Sequence, residues 1–197
     1  MTGLFTARKM TVTAVMAAVA TMLMYLKFPV PMFMPTFIKM DFSELPGLIA
    51  SFSLGPIHGV IVCLLKNLAN MLLTGTDTGG VGELSNFLLG CCFVVPAGLI
   101  YRRMNSRRGA ATGAGVGAIT MALMSIPLNY YLIYPIYTAF MPMDAIIGMY
   151  RAINPNIDNL MQALIWFNAP FTFVKGLGSA IICFAIYKRI SSLIKGK

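Results

Sequence analysis

Two lysines stand where a lysine is expensive. Lys66 in the run LLKNLAN and Lys175 in PFTFVKG both lie inside long apolar stretches. An ionisable side chain at that depth in a membrane marks a site, a pathway or a buried partner. At 1.5 Å per residue, Lys66 falls about 10 Å from the end of its stretch and Lys175 near the middle, so neither reaches water easily. For Lys66 a structural ion pair with Glu83, Asp41 or Glu44 accounts for the charge as well as a site does. Lys175 favours function: Pro170 precedes it and Gly176 and Gly178 follow, a helix that can deform and let a ligand approach its backbone. Around it the sequence supplies polar groups suited to a small molecule. Asp41 and Glu44 open one apolar segment, where acids also serve as helix-start residues. Asn129, Tyr130, Tyr131 and Tyr134 close another. Asn168, Thr172 and Lys175 share a helix face at i, i+4 and i+7. With Phe33 added, this set describes aromatic walls, amides and one buried cation, which suits a flat, polar-edged, largely neutral molecule better than an ion. Tyrosines at such positions also form ordinary interfacial belts.

Catalytic chemistry has little to stand on. The chain has no GxxxxGK[ST] phosphate loop, no HExxH and no nucleophile–histidine–carboxylate set, so neither catalytic nor metal-ligating residues are assigned and no cofactor is implied. Its single histidine, His58, follows Gly55-Pro56 and is expected in a solvated turn. Cys63, Cys91, Cys92 and Cys183 lie in apolar runs without metal-ligand spacing and are expected to be small core residues.

The elements that must hold these groups are membrane helices. The 197 residues are 58% hydrophobic and 11% charged, outside the range of a soluble domain. A crossing needs about 20 mostly apolar residues, and the chain has room for six with short loops: roughly 10–28, 42–54, 57–73, 83–101, 109–135 and 160–187. The second is short for a crossing. The expected fold is all-α, a polytopic membrane protein built as a six-transmembrane-helix bundle, with residues 1–197 as one integral membrane domain. An outer loop is expected at FPVPMFMP, a flexible one at TGTDTGG, and a longer one over 140–159. Threaded this way, all six acids (Asp41, Glu44, Asp77, Glu83, Asp144, Asp158) fall on one side. Ten of the fifteen bases (Arg8, Lys9, Arg102, Arg103, Arg107, Arg108, Lys188, Arg189, Lys195, Lys197) fall on the other. Bases flanking spans stay in the cytoplasm, which puts both termini there. The net charge of +9 is thus a topology signal beside anionic membrane lipid and not a nucleic-acid surface. The first segment also carries signal-peptide features up to Ala18-Val19-Ala20, but its apolar run continues through Leu26, and a retained helix is expected. Its Ala14 and Ala18 form a small-xxx-small stripe, which packs either within the chain or against a partner subunit.

The runs KFPVPMFMPTFIKMDFSELPGLIASFSLGPIHGVIVCLLKNLANML, GTDTGGVGELSNFLLG, SIPLNYYLIYPIY and NAPFTFVKGL resemble the riboflavin-specific S component of energy-coupling factor (ECF) vitamin transporters. The resemblance covers essentially the whole chain. It implies six helices, a pocket open to the outside, a first loop that helps seal it, and a prokaryotic cell membrane as the location. It implies riboflavin as ligand, with FMN a second candidate, and a complex with one T component and two ABC-type ATPases. Carried over residue by residue, the acid at the start of helix 2 falls on Asp41 or Glu44, the helix 5 asparagine on Asn129 and the helix 6 lysine on Lys175. Thr172 stands where the family favours asparagine, and Asn168 is placed to compensate. The family's alanine motif for docking the T component matches Ala14 and Ala18. Competing readings are an S component for another vitamin or a purine-like compound, a stand-alone facilitator, and a small membrane enzyme.

Overall fold

In a computed structural model, residues 6–76 and 78–195 are described, with 187–195 described by their backbone alone. Asp77 and Lys197, and the side chains of Lys188, Arg189 and Lys195, lie outside the described residues. The elements run α1 (Ala7–Tyr25), a two-residue antiparallel ladder of β1 (Phe28–Pro29) with β2 (Lys39–Met40), α2 (Glu44–Ser53), α3 (Pro56–Thr74), α4 (Val81–Met104) and α5 (Arg107–Leu128). After α5 come a π-helical turn over Asn129–Ile133 and α6 (Tyr134–Tyr137), then α7 (Met143–Arg151) and α8 (Leu160–Ala163). A second π-helical turn over Leu164–Asn168 leads into α9 (Ala169–Lys195).

Five continuous helical stretches among the described residues are long and apolar enough to cross a membrane: 7–25, 56–74, 81–104, 107–137 and 160–186. They match five of the six expected segments to within a few residues. The expected second segment is the departure. α2 has ten residues and rises about 15 Å, half of a ~30 Å hydrocarbon core. It is buried from Glu44 through Phe52, wrapped by α1, α3, α4 and α9. A helix covered on all sides can be apolar all round, which is how LPGLIASF reads as a span while lacking the length of one. The 140–159 region, expected as loop, contains α7, whose Ile146 and Tyr150 pack inward.

α3 shows what solvent the fold is built for. Its Leu64, Leu68 and Leu72 are exposed, while Cys63, Lys66, Asn67 and Asn70 are buried. Polar groups face inward because each finds a hydrogen-bonding partner only within the protein. α4 and α5 make the most intimate contact. A Cβ on Gly113 would lie 2.6 Å from the carbonyl oxygen of Ala97, and one on Gly117 would lie 2.6 Å from that of Phe93. The Gly109-xxx-Gly113-xxx-Gly117 stripe lets the two backbones meet, a small-xxx-small seam that was legible in the sequence but overlooked there.

His58 is not in a solvated turn. It lies buried in the first turn of α3 with its Nδ1 2.9 Å from the buried Thr13 hydroxyl of α1. Gly55-Pro56 starts α3 immediately, Pro56 taking the first helical position where its missing N–H costs nothing. Cys63 and Cys183 are core residues as expected, and Cys91 and Cys92 are half-buried.

Candidate functional site

The two π-helical turns are the local feature that makes a site. In an α-helix the N–H of residue i bonds the carbonyl of residue i−4, and proline has no N–H. Pro135 therefore leaves the Tyr131 carbonyl without its usual donor, and Pro170 does the same to Trp166. Each carbonyl lies inside one of the π turns. Asn129 opens the first π turn and Asn168 closes the second, and both are buried.

Between these turns, α4 and the first loop lies a cavity of about 160 Å³, open on one side. Its polar lining includes Asp41, Asn86, Asn129, Asn168, Thr172 and Lys175. Its apolar and aromatic lining includes Met121 and Ile133, and Phe171 beside Tyr134 and Tyr137. The first loop contributes Met34, Phe37, Ile38 and Lys39, so the segment expected to seal the pocket does form part of its wall. Phe37 packs on Tyr137 with ring centroids 5.7 Å apart. Lys27, Lys39 and Thr78 bring charge and a hydroxyl from the loops, and Glu83 adds a carboxylate from the first turn of α4.

Lys175 sits at the centre of the polar wall. Its Nζ donates to Asp41 Oδ2 at 2.9 Å and to Asn86 Oδ1 at 2.9 Å. Asp41 Oδ1 accepts from both the backbone N–H and the hydroxyl of Ser43. Ser43 Oγ in turn accepts from Lys66 Nζ at 2.7 Å, and Lys66 pairs with Glu44 Oε1 at 2.6 Å. Two ion pairs are thus joined through one serine hydroxyl. The Lys66–Glu44 pair has no exposure on either side chain. Gly90 makes room for it, since a Cβ there would lie 2.7 Å from Glu44 Oε2.

Of the residues singled out in the sequence, Asp41, Asn129, Asn168, Thr172 and Lys175 all line the cavity. Glu44 does not. It turns to Lys66 instead, which separates the two acids that the sequence left together. Lys66 has the structural partner that its burial required. Phe33 is 63% exposed and away from the cavity, with Phe37 in the wall in its place. Tyr134 lines the cavity, whereas Tyr130 is outside the lining and stacks edge-on against Tyr131. Ala14 and Ala18 are exposed on α1, whose buried side is Thr13, Ala17, Ala20 and Met24. Among the described residues their stripe therefore lies on the exposed side of α1.

Three residues escaped the sequence reading. Asn86 holds Lys175 from α4, and only its place in a long apolar helix hinted at a role. Tyr137 adds to the aromatic wall. Tyr150 of α7 is fully buried behind the cavity. Its hydroxyl donates to Asn168 Oδ1 at 2.6 Å and lies 2.6 Å from the Tyr134 hydroxyl. Burial pushes the Tyr150 phenol well above its ordinary value, so it is a neutral hydroxyl at physiological pH. Asn129 is held from both sides, donating to the Ser125 carbonyl at 2.7 Å and accepting from Ser85 Oγ at 3.4 Å.

A cavity lined by aromatic rings together with amides and a paired lysine fits a small planar molecule with a polar edge. Comparisons with known proteins agree in kind. Residues 8–187 match the family described as ECF transporter, substrate-specific component. The chain is 32% identical over 188 residues to a protein of Staphylococcus aureus named riboflavin transporter RibU, covering 95% of this chain and 93% of that one. It is 30% identical over 189 residues to riboflavin transporter FmnP of Bacillus subtilis, covering 95% and 94%. A solved structure, titled as the S component of a bacterial ECF transporter, superposes with a TM-score of 0.74 at 31% identity, covering 95% of this chain and 98% of that one. The chain is therefore a multi-pass membrane protein of the ECF transporter substrate-specific component family, a family of transporter subunits and not of enzymes.

Proposed function

We propose that this chain captures riboflavin from outside the cell and delivers it for ATP-driven uptake as the S component of an ECF transporter. The observation that carries this reading is the cavity itself. It gathers Asp41 from before α2, Asn129 from the end of α5, and Asn168, Thr172 and Lys175 from the last helical stretch around one space that aromatic and methionine side chains also line. An isoalloxazine ring has a flat apolar face for the latter and a uracil-like edge for the former, and the ribityl hydroxyls suit acids and amides. A buried site built to bond such groups rejects analogues that lack them. The relatives' names point to the same ligand.

In this reading residues 1–197 form one integral membrane domain in a prokaryotic plasma membrane. It crosses six times, α2 and the extended residues before it completing the short crossing. Both termini are cytoplasmic, as supported by the segregation of acids from bases. The first loop, which supplies Met34 and Phe37 to the wall, opens to admit ligand. The chain has no phosphate-loop motif, so the energy enters through a T component and two ABC-type ATPases.

Purified chain titrated with riboflavin should quench flavin fluorescence with a micromolar or tighter dissociation constant. Absence of binding at micromolar riboflavin, with clear binding of another vitamin, overturns the ligand assignment.

The exposed Ala14 and Ala18 are one helical turn apart on α1, away from the cavity. We assign this stripe to contact with the T component, because small residues let helix backbones approach in lipid. Ala14→Trp or Ala18→Trp should abolish copurification with the T component and uptake, while riboflavin titrates normally. Loss of flavin binding alongside assembly would assign the stripe to the fold of this chain.

A further inference from the structure

We infer that Tyr150, which never touches the cavity, sets the hydrogen-bonding pattern with which the cavity reads the imide edge of its ligand. This rests on the flavin reading above. A tyrosine hydroxyl has one proton to give. Tyr150 gives it to Asn168 Oδ1 at 2.6 Å. At the 2.6 Å contact between the Tyr134 and Tyr150 hydroxyls, Tyr134 must then be the donor. The relay runs in one direction, from Tyr134 through Tyr150 to Asn168, and it determines what the two cavity-lining members have left. Asn168 has its amide oxygen engaged and keeps NH₂ donors. Tyr134 has its proton engaged and keeps an acceptor oxygen.

Both residues line the cavity, so the wall offers an acceptor and a donor. That is the complement of an imide, whose N–H donates while the neighbouring carbonyl accepts. The flavin pyrimidine ring carries such an edge. Without the Tyr150 hydroxyl, the near-isosteric Asn168 amide is free to turn its oxygen into the cavity, and the Tyr134 proton is free to follow. The pattern would then present two acceptors, or the inverse pair. Tyr150 is a positioning residue that acts through Asn168. Its place supports the role: α7 is a short helix outside the long spans, Tyr150 is fully buried in it, and its ring packs near Phe167 at 5.6 Å between centroids, a contact that does not involve the hydroxyl.

The test is a double-mutant cycle on the full chain in detergent, read by riboflavin fluorescence titration, with thermal unfolding of the ligand-free protein alongside. Tyr150→Phe should weaken riboflavin binding by about tenfold, the scale of one hydrogen bond, and leave ligand-free unfolding nearly unchanged. In the Asn168→Ala background, Tyr150→Phe should cause no further loss. The unmodified chain should bind 3-methylriboflavin, which lacks the imide N–H, at least tenfold more weakly than riboflavin. Additive losses in the cycle, an unchanged affinity in Tyr150→Phe, or equal binding of the two flavins by the unmodified chain would each overturn the inference. If Tyr150→Phe does not fold, Asn168→Asp keeps the acceptor for Tyr150 and removes the donors. It should lose riboflavin affinity about tenfold, and normal binding there overturns the inference. Failure of the unmodified chain to bind either flavin is a different result: it removes the flavin reading and this inference with it.

Discussion

Replacing Lys66 by methionine should destabilise the protein by about 3–5 kcal/mol, because it leaves Glu44 buried and unpaired. The pair is 2.6 Å apart and neither side chain is exposed. Its surroundings offer little alternative solvation: Cys63 Sγ at 3.6 Å is a weak partner, and Gly90 closes the other side. The same deletion at a solvated ion pair costs about 1 kcal/mol or less, so the magnitude discriminates. Lys66→Met combined with Glu44→Gln removes both charges and should recover most of the loss. Chemical unfolding of the three variants in one detergent measures it. A Lys66→Met protein within 1 kcal/mol of the parent would show that water reaches this pair and that Glu44 belongs to the open cavity after all. Some riboflavin affinity should fall with the single variant, since Ser43 links Lys66 to Asp41.

Lys175→Ala should weaken riboflavin binding by about 1.5–3 kcal/mol, the range for a hydrogen bond to a charged group, or roughly ten- to a hundredfold in affinity. Lys175 differs from Lys66 in what lies beside it. Its partner Asp41 also lines the cavity, where water can replace the lost ammonium, so folding should survive better than in Lys66→Met. Asp41→Asn added to Lys175→Ala should restore any stability lost through the orphaned carboxylate but should not restore affinity. Titration and unfolding on the same preparations separate the two roles. Normal riboflavin binding by Lys175→Ala would make Lys175 a structural residue whose task ends at Asp41 and Asn86.

These two lysines show where reading the sequence reached its end. Both announced themselves by lying in apolar runs, and the energetic reason is independent of the fold: a charge in hydrocarbon needs a partner. Which partner is a long-range matter. Asp41 and Glu44 are three residues apart, close enough to be interchangeable on paper. Asp41 precedes the helix and turns toward α9, whereas Glu44 is its first residue and turns toward α3. Asn86 and Tyr150 carried little local mark, because an asparagine in one helix and a tyrosine in another gain meaning only from what stands across from them. His58 misled for the same reason, its partner Thr13 being 45 positions away.

What the sequence by itself determined was five long apolar helices, with ends placed to within a few residues. Apolar length, proline, glycine and flanking arginines act locally, and a bilayer imposes its thickness on every chain alike. What only the tertiary structure decided was the depth of α2, the pairing of the buried charges and the shape of the cavity. Pro135 and Pro170 each removed one hydrogen-bond donor, but whether a helix answers with a kink, a break or a π turn depends on the helices packed against it. Here the answer was two widened turns, one opening at Asn129 and one closing at Asn168, and both residues line one cavity.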